Sequence, residues 1–340
     1  MSNNYQSFID QLSRCRRILI TTHVRPDGDA LGTCAAMAMG LSRKGISSEV
    51  LLLSHLPKKY AFVFEENKIA FHDVEAGWPE NYSLDGFDAL LVLDTGTWSQ
   101  LPGLRQKLEG FKKPKLVLDH HLTQEDWADL KLVDTTAAAA GEIAEELLLQ
   151  WGVPMDSQIA GALFLAIVSD TGWFQFSNTK PQTLRLAAKL MEAGVDTDLM
   201  YQRLYQNERA QRIRLQTRAQ DSLELLAGDR LAVIGVRQKD FAETGSSMSD
   251  TESLINIPLQ IRTVEVSIVF VEPKDDPNVR VSFRSKGKVD VAKFAEQFGG
   301  GGHARAAGLK LPGAFDEVHE RVVQAMLKQL GEEAHRHEGT

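Results

Sequence analysis

The chain has 340 residues, 43% hydrophobic and 25% charged, and its 38 basic against 46 acidic side chains leave a net charge of −8. At roughly 150 residues per domain this length predicts two domains, each with its own core, and the acidic balance excludes a wide grip on duplex DNA while leaving room for a local pocket that takes a short anion. No apolar run is long enough for a membrane span, the start lacks a basic segment feeding an apolar one, and the two cysteines, Cys15 and Cys34, fit neither zinc nor disulfide spacing, so a cytoplasmic protein is expected.

Strands are predicted at 17–24 and 48–53, with a helix between them at 30–44 that Gly45 terminates, and further strands at 89–94 and 115–119. This β-loop-α-β opening reads as a parallel sheet. Helical patterns follow at 139–151 and 157–168, and Pro181 starts another that runs over 182–192. The polar, Arg/Gln-rich stretch 198–227, free of Gly and Pro, is expected to be a helical connector. Beyond it come a strand at 230–236, a helix at 252–261, strands at 264–271 and 279–283, a helix at 289–298, the glycine-rich segment 299–308 and a last helix at 315–330. The expected division is an α/β domain on a parallel sheet at 1–197, the connector at 198–227, a smaller α/β domain at 228–332 and a disordered tail at 333–340.

The chemistry is written at strand ends. His23-Val-Arg-Pro-Asp27-Gly-Asp29 follows the first strand, Asp94 closes the third, Asp119-His120-His121 closes the fourth, and Asp170 closes the apolar run Leu-Ala-Ile-Val-Ser-Asp. Each segment alone is equally an ordinary polar turn. Parallel strands, however, place their carboxyl ends on one edge, where these groups would converge. Four carboxylates at one point repel unless paired. Two divalent cations about 3.5–4 Å apart would balance them and stabilise the attacking and leaving oxygens of a phosphoryl displacement. Oxygen ligands with imidazole and no thiolate favour Mn²⁺, with Mg²⁺ or Co²⁺ as substitutes. Adjacent histidines point to different sides, so only one of His120 and His121 is expected to be a ligand. In the second half, Gly300, Gly301 and Gly302 are expected to expose backbone N–H groups as an anion nest beside His303, and Arg284 and Ser285 leave a strand just before it. Trp173, Phe174 and Phe176, close behind Asp170, could stack on a base or pack under the loop.

The order His-x-x-x-Asp-x-Asp, Asp94, Asp-His-His, Asp170 resembles the DHH phosphoesterase superfamily, and Gly-Gly-Gly-His-x-x-Ala-Ala-Gly over 300–308 is similar to the signature of its DHHA1 branch. The resemblance covers nearly the whole chain and, through Val281-Ser-Phe-Arg284-Ser285-Lys286, is closest to members that act on short oligonucleotides and on 3′-phosphoadenosine 5′-phosphate (pAp). It implies one metal held by His23, Asp27 and Asp94 and a second by Asp29, Asp94, His120 and Asp170. His121 would face the scissile phosphate and Asp119 would orient an imidazole. Arg284, Ser285, Gly300, Gly301, Gly302 and His303 would bind substrate. Thr33 departs from the Ser of many members, and only a packing change is expected from it. The implied partners are short single-stranded oligonucleotides and small nucleotides, with no membrane and no duplex DNA; a homodimer is left open. Alternatives are a cyclic- or linear-dinucleotide phosphodiesterase, a processive single-strand exonuclease, a pyrophosphatase, and a non-enzymatic nucleotide-binding module.

Overall fold

A computed structural model describes residues 2–75, 77–78 and 82–337. The chain divides into two units, 1–207 and 208–340.

In the first unit, strands β1 (Arg17–Thr22), β2 (Ser47–Leu52), β3 (Phe71–Asp73), β4 (Ala89–Leu93), β5 (Lys115–Asp119) and β6 (Leu130–Val133) form one sheet in the order β3-β2-β1-β4-β5-β6. Every pair is parallel. The inner strand β4, Ala-Leu-Leu-Val-Leu, is buried at every residue, as a sheet covered on both faces requires. The order reverses between β1 and β4, and the crevice outside such a reversal is where open α/β sheets bind ligands.

Helix Gly28–Arg43 starts in that crevice, where the Asp27 side chain caps it by accepting from the N–H groups of Asp29 and Ala30 at 3.0 and 3.1 Å. Its small residues let it lie against helix Ser157–Asp170. A Cβ at Gly32 would stand 2.4 Å from the Ala162 carbonyl oxygen and 2.8 Å from the Ala166 nitrogen. These two helices, with Ala140–Gln150, bury a core of Leu31, Met37, Ile143, Leu163 and Phe164 against one face of the sheet.

The second unit carries β7 (Glu224–Leu226), β8 (Leu231–Val236), β9 (Val266–Val271), β10 (Asn278–Ser285), β11 (Gly301–His303) and β12 (Ala306–Pro312), ordered β11-β12-β10-β9-β8-β7. Only β8 and β9 pair in parallel. Helices Val291–Glu296 and Phe315–His337 cover one face through Phe294, Val318, Val322 and Met326.

Four expectations differ from this picture. The connector is helical as expected, but it is two helices, Thr197–Tyr205 and Ala210–Asp221, followed by β7, and the division between units falls at Asn207. Arg209 leaves the helical conformation although no Gly or Pro marks the break. The helix expected at 252–261 is a series of short 3₁₀ turns, because Ser253 takes a left-handed φ of +67° and Pro258 lacks the N–H a helix interior needs. The glycine segment is largely a hairpin, not a loop: β11 pairs with β12, and Gly302, at φ +148°, lies where a Cβ would meet the Ala306 carbonyl oxygen at 2.4 Å. The last helix continues to His337 through Glu332, Glu333 and Ala334, good helix formers, where a disordered tail was expected; residues 338–340 of that tail lie outside the described residues. Among the described residues no helix is long and apolar enough to cross a membrane.

The contact at Gly32 is with backbone atoms that cannot rotate away. Gly32→Ala should therefore destabilise the protein by about 1–3 kcal/mol, the usual cost of overpacking, read as a lower urea midpoint; an unchanged midpoint would contradict this helix pairing.

Candidate metal centre

Strands β1, β4 and β5 end side by side, and each delivers its chemistry at that end: His23 follows β1, Asp94 follows β4, and Asp119 closes β5 before His120. Asp94 takes a left-handed φ of +59°, and its N–H donates to the Leu118 carbonyl. Its side chain is 2% exposed. Oδ2 lies 3.5 Å from His23 Nε2, and Oδ1 lies 3.4 Å from His120 Nε2 and 3.7 Å from His121 Nδ1. His120 Nε2 is also 3.5 Å from Asp170 Oδ2 and 3.7 Å from Asp29 Oδ2, while His23 Nε2 is 3.9 Å from Asp27 Oδ1. Potential ligand atoms fall into three groups, each within 4.8 Å: His23, Asp27 and Asp94; Asp29, His120 and Asp170; Asp94, His120 and His121. Seven of the eight residues singled out at the strand and helix ends thus come together, and the eighth, Asp119, joins them through His121.

The surroundings fit divalent metal ions. Asp94 Oδ1 is buried and makes no hydrogen bond among the described residues, a costly arrangement for a carboxylate oxygen that a cation would relieve. The Nδ1–H of His23 donates to the Val24 carbonyl at 3.0 Å, and Nδ1 of His120 faces the Ala137 carbonyl at 3.4 Å. In the neutral rings this leaves each Nε2 lone pair directed at the carboxylates, the usual arrangement of a ligating imidazole. Asp27 uses Oδ1 for its helix cap, leaving Oδ2 outside that duty. Asp29 accepts at Oδ1 from Gly141 N–H and the Thr33 hydroxyl and at Oδ2 from Ala140 N–H. It thereby supplies the cap that Ala139, with no side-chain acceptor, cannot give to helix Ala140–Gln150. Thr33 is thus a direct support of the acidic cluster and not a packing change alone.

Asp119 has a different task. Fully buried, its Oδ1 accepts from the His120 and His121 N–H groups at 2.8 and 3.2 Å and from His121 Nδ1 at 2.7 Å, while Oδ2 accepts from the Gln124 amide. With its oxygens taken, it fixes the His121 ring and turns that ring's Nε2 away from itself. Gln124 carries no motif, and only the fold reveals its part.

Electrostatics follow from crowding. Burial works against charging His23 and His120, but the adjacent Asp94 carboxylate overrides it and lifts them to about 9 and about 10. Burial likewise works against the charged Asp94, and the adjacent His120 and His23 imidazoles nevertheless hold its pKa below the usual range. Asp170, half-buried near the Asp94 charge, rises to about 6, and Asp29 is pushed well up by burial and by Asp94. Hydrogen bonding with Asp119 raises His121.

In the second unit the sheet sorts the expected substrate-binding residues. Ala306 on β12 is paired with both Arg284 on β10 and His303 on β11, so these two side chains share one face of the sheet. Ser282, Gly308 and Gly301, two residues along, share it and leave it open. Arg284 makes no ion pair among the described residues; its Nη1 donates only to the Phe283 carbonyl. Ser285 is not brought to this face. Alternation turns it to the opposite side, where it is buried and its hydroxyl accepts from Gly287 N–H. Nor is Gly300 a free donor, since its N–H goes to the Ala295 carbonyl at the end of helix Val291–Glu296. Gly301 and Gly302 lie in the edge strand.

The raised imidazoles set a sign. Protonated His23 and His120 stabilise the metal-free fold below about pH 6.5, and that contribution is lost as pH rises through about 9 and about 10. Metal binding must displace these protons. Mn²⁺ affinity should therefore climb from pH 6 to 8, each displaced proton adding a factor of about ten per pH unit, with proton release visible by calorimetry in buffers of different ionisation enthalpy. A pH-independent affinity would contradict this geometry.

Comparison with known proteins places the chain. Residues 17–167 match the DHH family N-terminal domain and residues 230–334 the DHHA1 domain. The bifunctional oligoribonuclease and PAP phosphatase NrnA of Thermus thermophilus is 31% identical over 315 residues, covering 92% of this chain and 90% of that protein. The protein of the same name from Bacillus subtilis is 26% identical over 297 residues, 86% and 89% of the two chains. Among solved structures, an exopolyphosphatase-related protein of Bacteroides fragilis superposes with a TM-score of 0.80 at 22% identity over 97% of this chain and 96% of that one. Manganese-bound exonuclease RecJ gives 0.54 at 13% identity over 96% and 94%. With both domain types in order and a relative of this identity along nearly its whole length, the chain belongs to the DHH–DHHA1 family of phosphoesterases.

Proposed function

We propose that this phosphoesterase hydrolyses short single-stranded oligonucleotides to mononucleotides and pAp to AMP, using two divalent cations, Mn²⁺ by preference with Mg²⁺ or Co²⁺ as substitutes. The observation that carries the reading is the position of Asp94, whose two oxygens face His23 on one side and His120 on the other. The relatives' names supply the substrate class.

In this reading His23, Asp27 and Asp94 hold one cation, and Asp94, Asp29 through Oδ2, His120 and Asp170 hold the other. The bound pair would supply an activated water and charge stabilisation for an in-line displacement at phosphorus. The protein's own groups do the rest. Asp119 holds His121 by Nδ1 and leaves Nε2 to meet the phosphoryl oxygens; the hydrogen bond to Asp119 raises the pKa and favours the protonated ring, which can donate to the developing charge or to the leaving oxygen. Asp29 anchors the helix beneath the centre and keeps the ligand set from shifting. On the second unit, the Arg284 fork, His303 and the Gly301–Gly302 backbone receive a terminal phosphate, for which a guanidinium without a carboxylate partner is suited. Ser285 and Gly300 serve as scaffold.

The test is a panel: purified protein with Mn²⁺, offered dinucleotides to 20-mers, pAp, cyclic dinucleotides and pyrophosphate. Dinucleotides and pAp should be hydrolysed with higher kcat/KM than 20-mers, and a protein that prefers the long strands or cleaves neither short substrate would refute the reading. Asp94→Asn should abolish turnover with unchanged circular dichroism. Arg284→Ala should shrink the dinucleotide-to-20-mer ratio by about tenfold or more, the worth of one charge-assisted contact; an unchanged ratio would remove Arg284 from substrate capture.

A further inference from the structure

We infer that the exposed pair Tyr201 and Tyr205, with Lys59 beside it, is the platform on which a base of the substrate stacks while its phosphate ester lies at the metal centre. This rests on the proposed function and adds to it the element that reads the nucleoside.

Helix Thr197–Tyr205 places the two tyrosines one turn apart on one face. They are 39% and 43% exposed, with ring centroids 5.0 Å apart. Their positions are braced from within: Trp173 stands T-shaped against both, at 5.0 and 5.8 Å, and rests in turn on buried Phe164 at 5.9 Å. Trp173 and Phe174, which could have stacked on a base themselves, are instead partly buried against the core. Phe176 is exposed, and its ring lies over Gly172. The surface that Trp173 supports is therefore the tyrosine pair.

Two routes join this pair to the metal centre. Trp173 lies three residues past Asp170, across a run in which Gly172, Trp173 and Phe174 all take left-handed φ of +55°, +58° and +66°. Two consecutive non-glycine residues in that region are strained and persist only where packing enforces them, here through the contacts of Trp173 with Phe164, Tyr201 and Tyr205. On the other side, Tyr60 rests on Gly28, between Asp27 and Asp29: a Cβ there would be 3.1 Å from Tyr60 Cε1. Ser169, the neighbour of Asp170, closes on the same position, where its Oγ would meet that Cβ. Lys59 Nζ then spans from the Tyr60 ring, at 5.7 Å, to the Tyr205 ring, at 4.8 Å.

The occupant follows from the mixture of groups. A bare anion would ignore the rings. A nucleotide offers a flat base to the tyrosines while its phosphate ester lies at the metal centre to which Trp173 and Tyr60 join the pair, and stacking on aromatic faces is tolerant of base identity, as a broad action on short oligonucleotides requires.

The experiment compares the Mn²⁺-loaded wild type, Tyr201→Ala/Tyr205→Ala and Tyr201→Phe/Tyr205→Phe on a dinucleotide and on the same dinucleotide with one base, then the other, replaced by hydrogen. In wild type the base-bearing substrate should have the higher kcat/KM. The Ala variant should lose roughly 5- to 100-fold of that advantage for one of the two bases, and the Phe variant should keep it. An advantage that survives in the Ala variant overturns the platform, whether both rates fall together, as for rings that only support the fold, or the sedimentation coefficient falls, as for a face that pairs two copies. A second readout needs no turnover: AMP against ribose 5-phosphate, titrated by tryptophan fluorescence. If wild type cleaves neither dinucleotide nor pAp, the proposed function fails; tighter binding of AMP that disappears in the Ala variant still upholds the platform, and equal binding of the two ligands overturns it.

Discussion

A carboxylate with 2% exposure at the carboxyl end of β4 has to be matched by positive charge, and most of the first unit can be understood as the means of doing so. Asp94 lies where the sheet order reverses, so the ends of β1 and β5 flank it and bring His23 and His120 to its two oxygens. Neither imidazole can leave without stranding a buried charge. In the metal-free protein their protons provide the match, which is why both rise above ordinary histidine. Cations in the same position would do it with two charges each and release those protons.

Around that constraint the fold departs from local preference at several of the site's own residues. Asp170 ends helix Ser157–Asp170, where the helix dipole disfavours negative charge; burial and the nearby Asp94 charge raise its pKa to about 6. Asp94 adopts a left-handed backbone that a non-glycine residue rarely takes. Asp29 is buried within a helix yet caps a different one, at Ala140 and Gly141. Such conflicts between local and global choice concentrate where function outweighs stability. The close pairing at Gly32 supplies rigidity beneath them, since the helix carrying Asp29 and the helix carrying Asp170 cannot slide without meeting backbone.

Much of this was legible in the residue order. A parallel sheet follows from short β-rich runs alternating with helices, and once strands are parallel, polar residues at the ends of core elements can meet on one edge; that reasoning reached His23, Asp27, Asp29, Asp94, His120 and Asp170 before any geometry. What stayed hidden depends on partners distant in sequence or on backbone angles. Arg284 and Ser285 look like a pair, but strand alternation separates them. The glycine run reads as a loop, yet its first residues end a helix and the rest form an edge strand. Helical periodicity at 252–261 yields to Ser253 and Pro258. Gln124 and Thr33 matter only through carboxylates they reach in space, and Tyr201 and Tyr205 sit in a stretch that reads as a plain polar connector.

The central claim is that Asp94 is shared between two cations. Crystals grown with Mn²⁺ and measured at the manganese absorption edge test it directly, because anomalous scattering locates the ions independently of any assumed ligand. The account predicts two peaks about 3.5–4 Å apart, one beside His23 and Asp27, the other beside His120 and Asp170, with a carboxylate oxygen of Asp94 within bonding distance of each. A single peak, or two peaks that Asp94 does not touch, would contradict it.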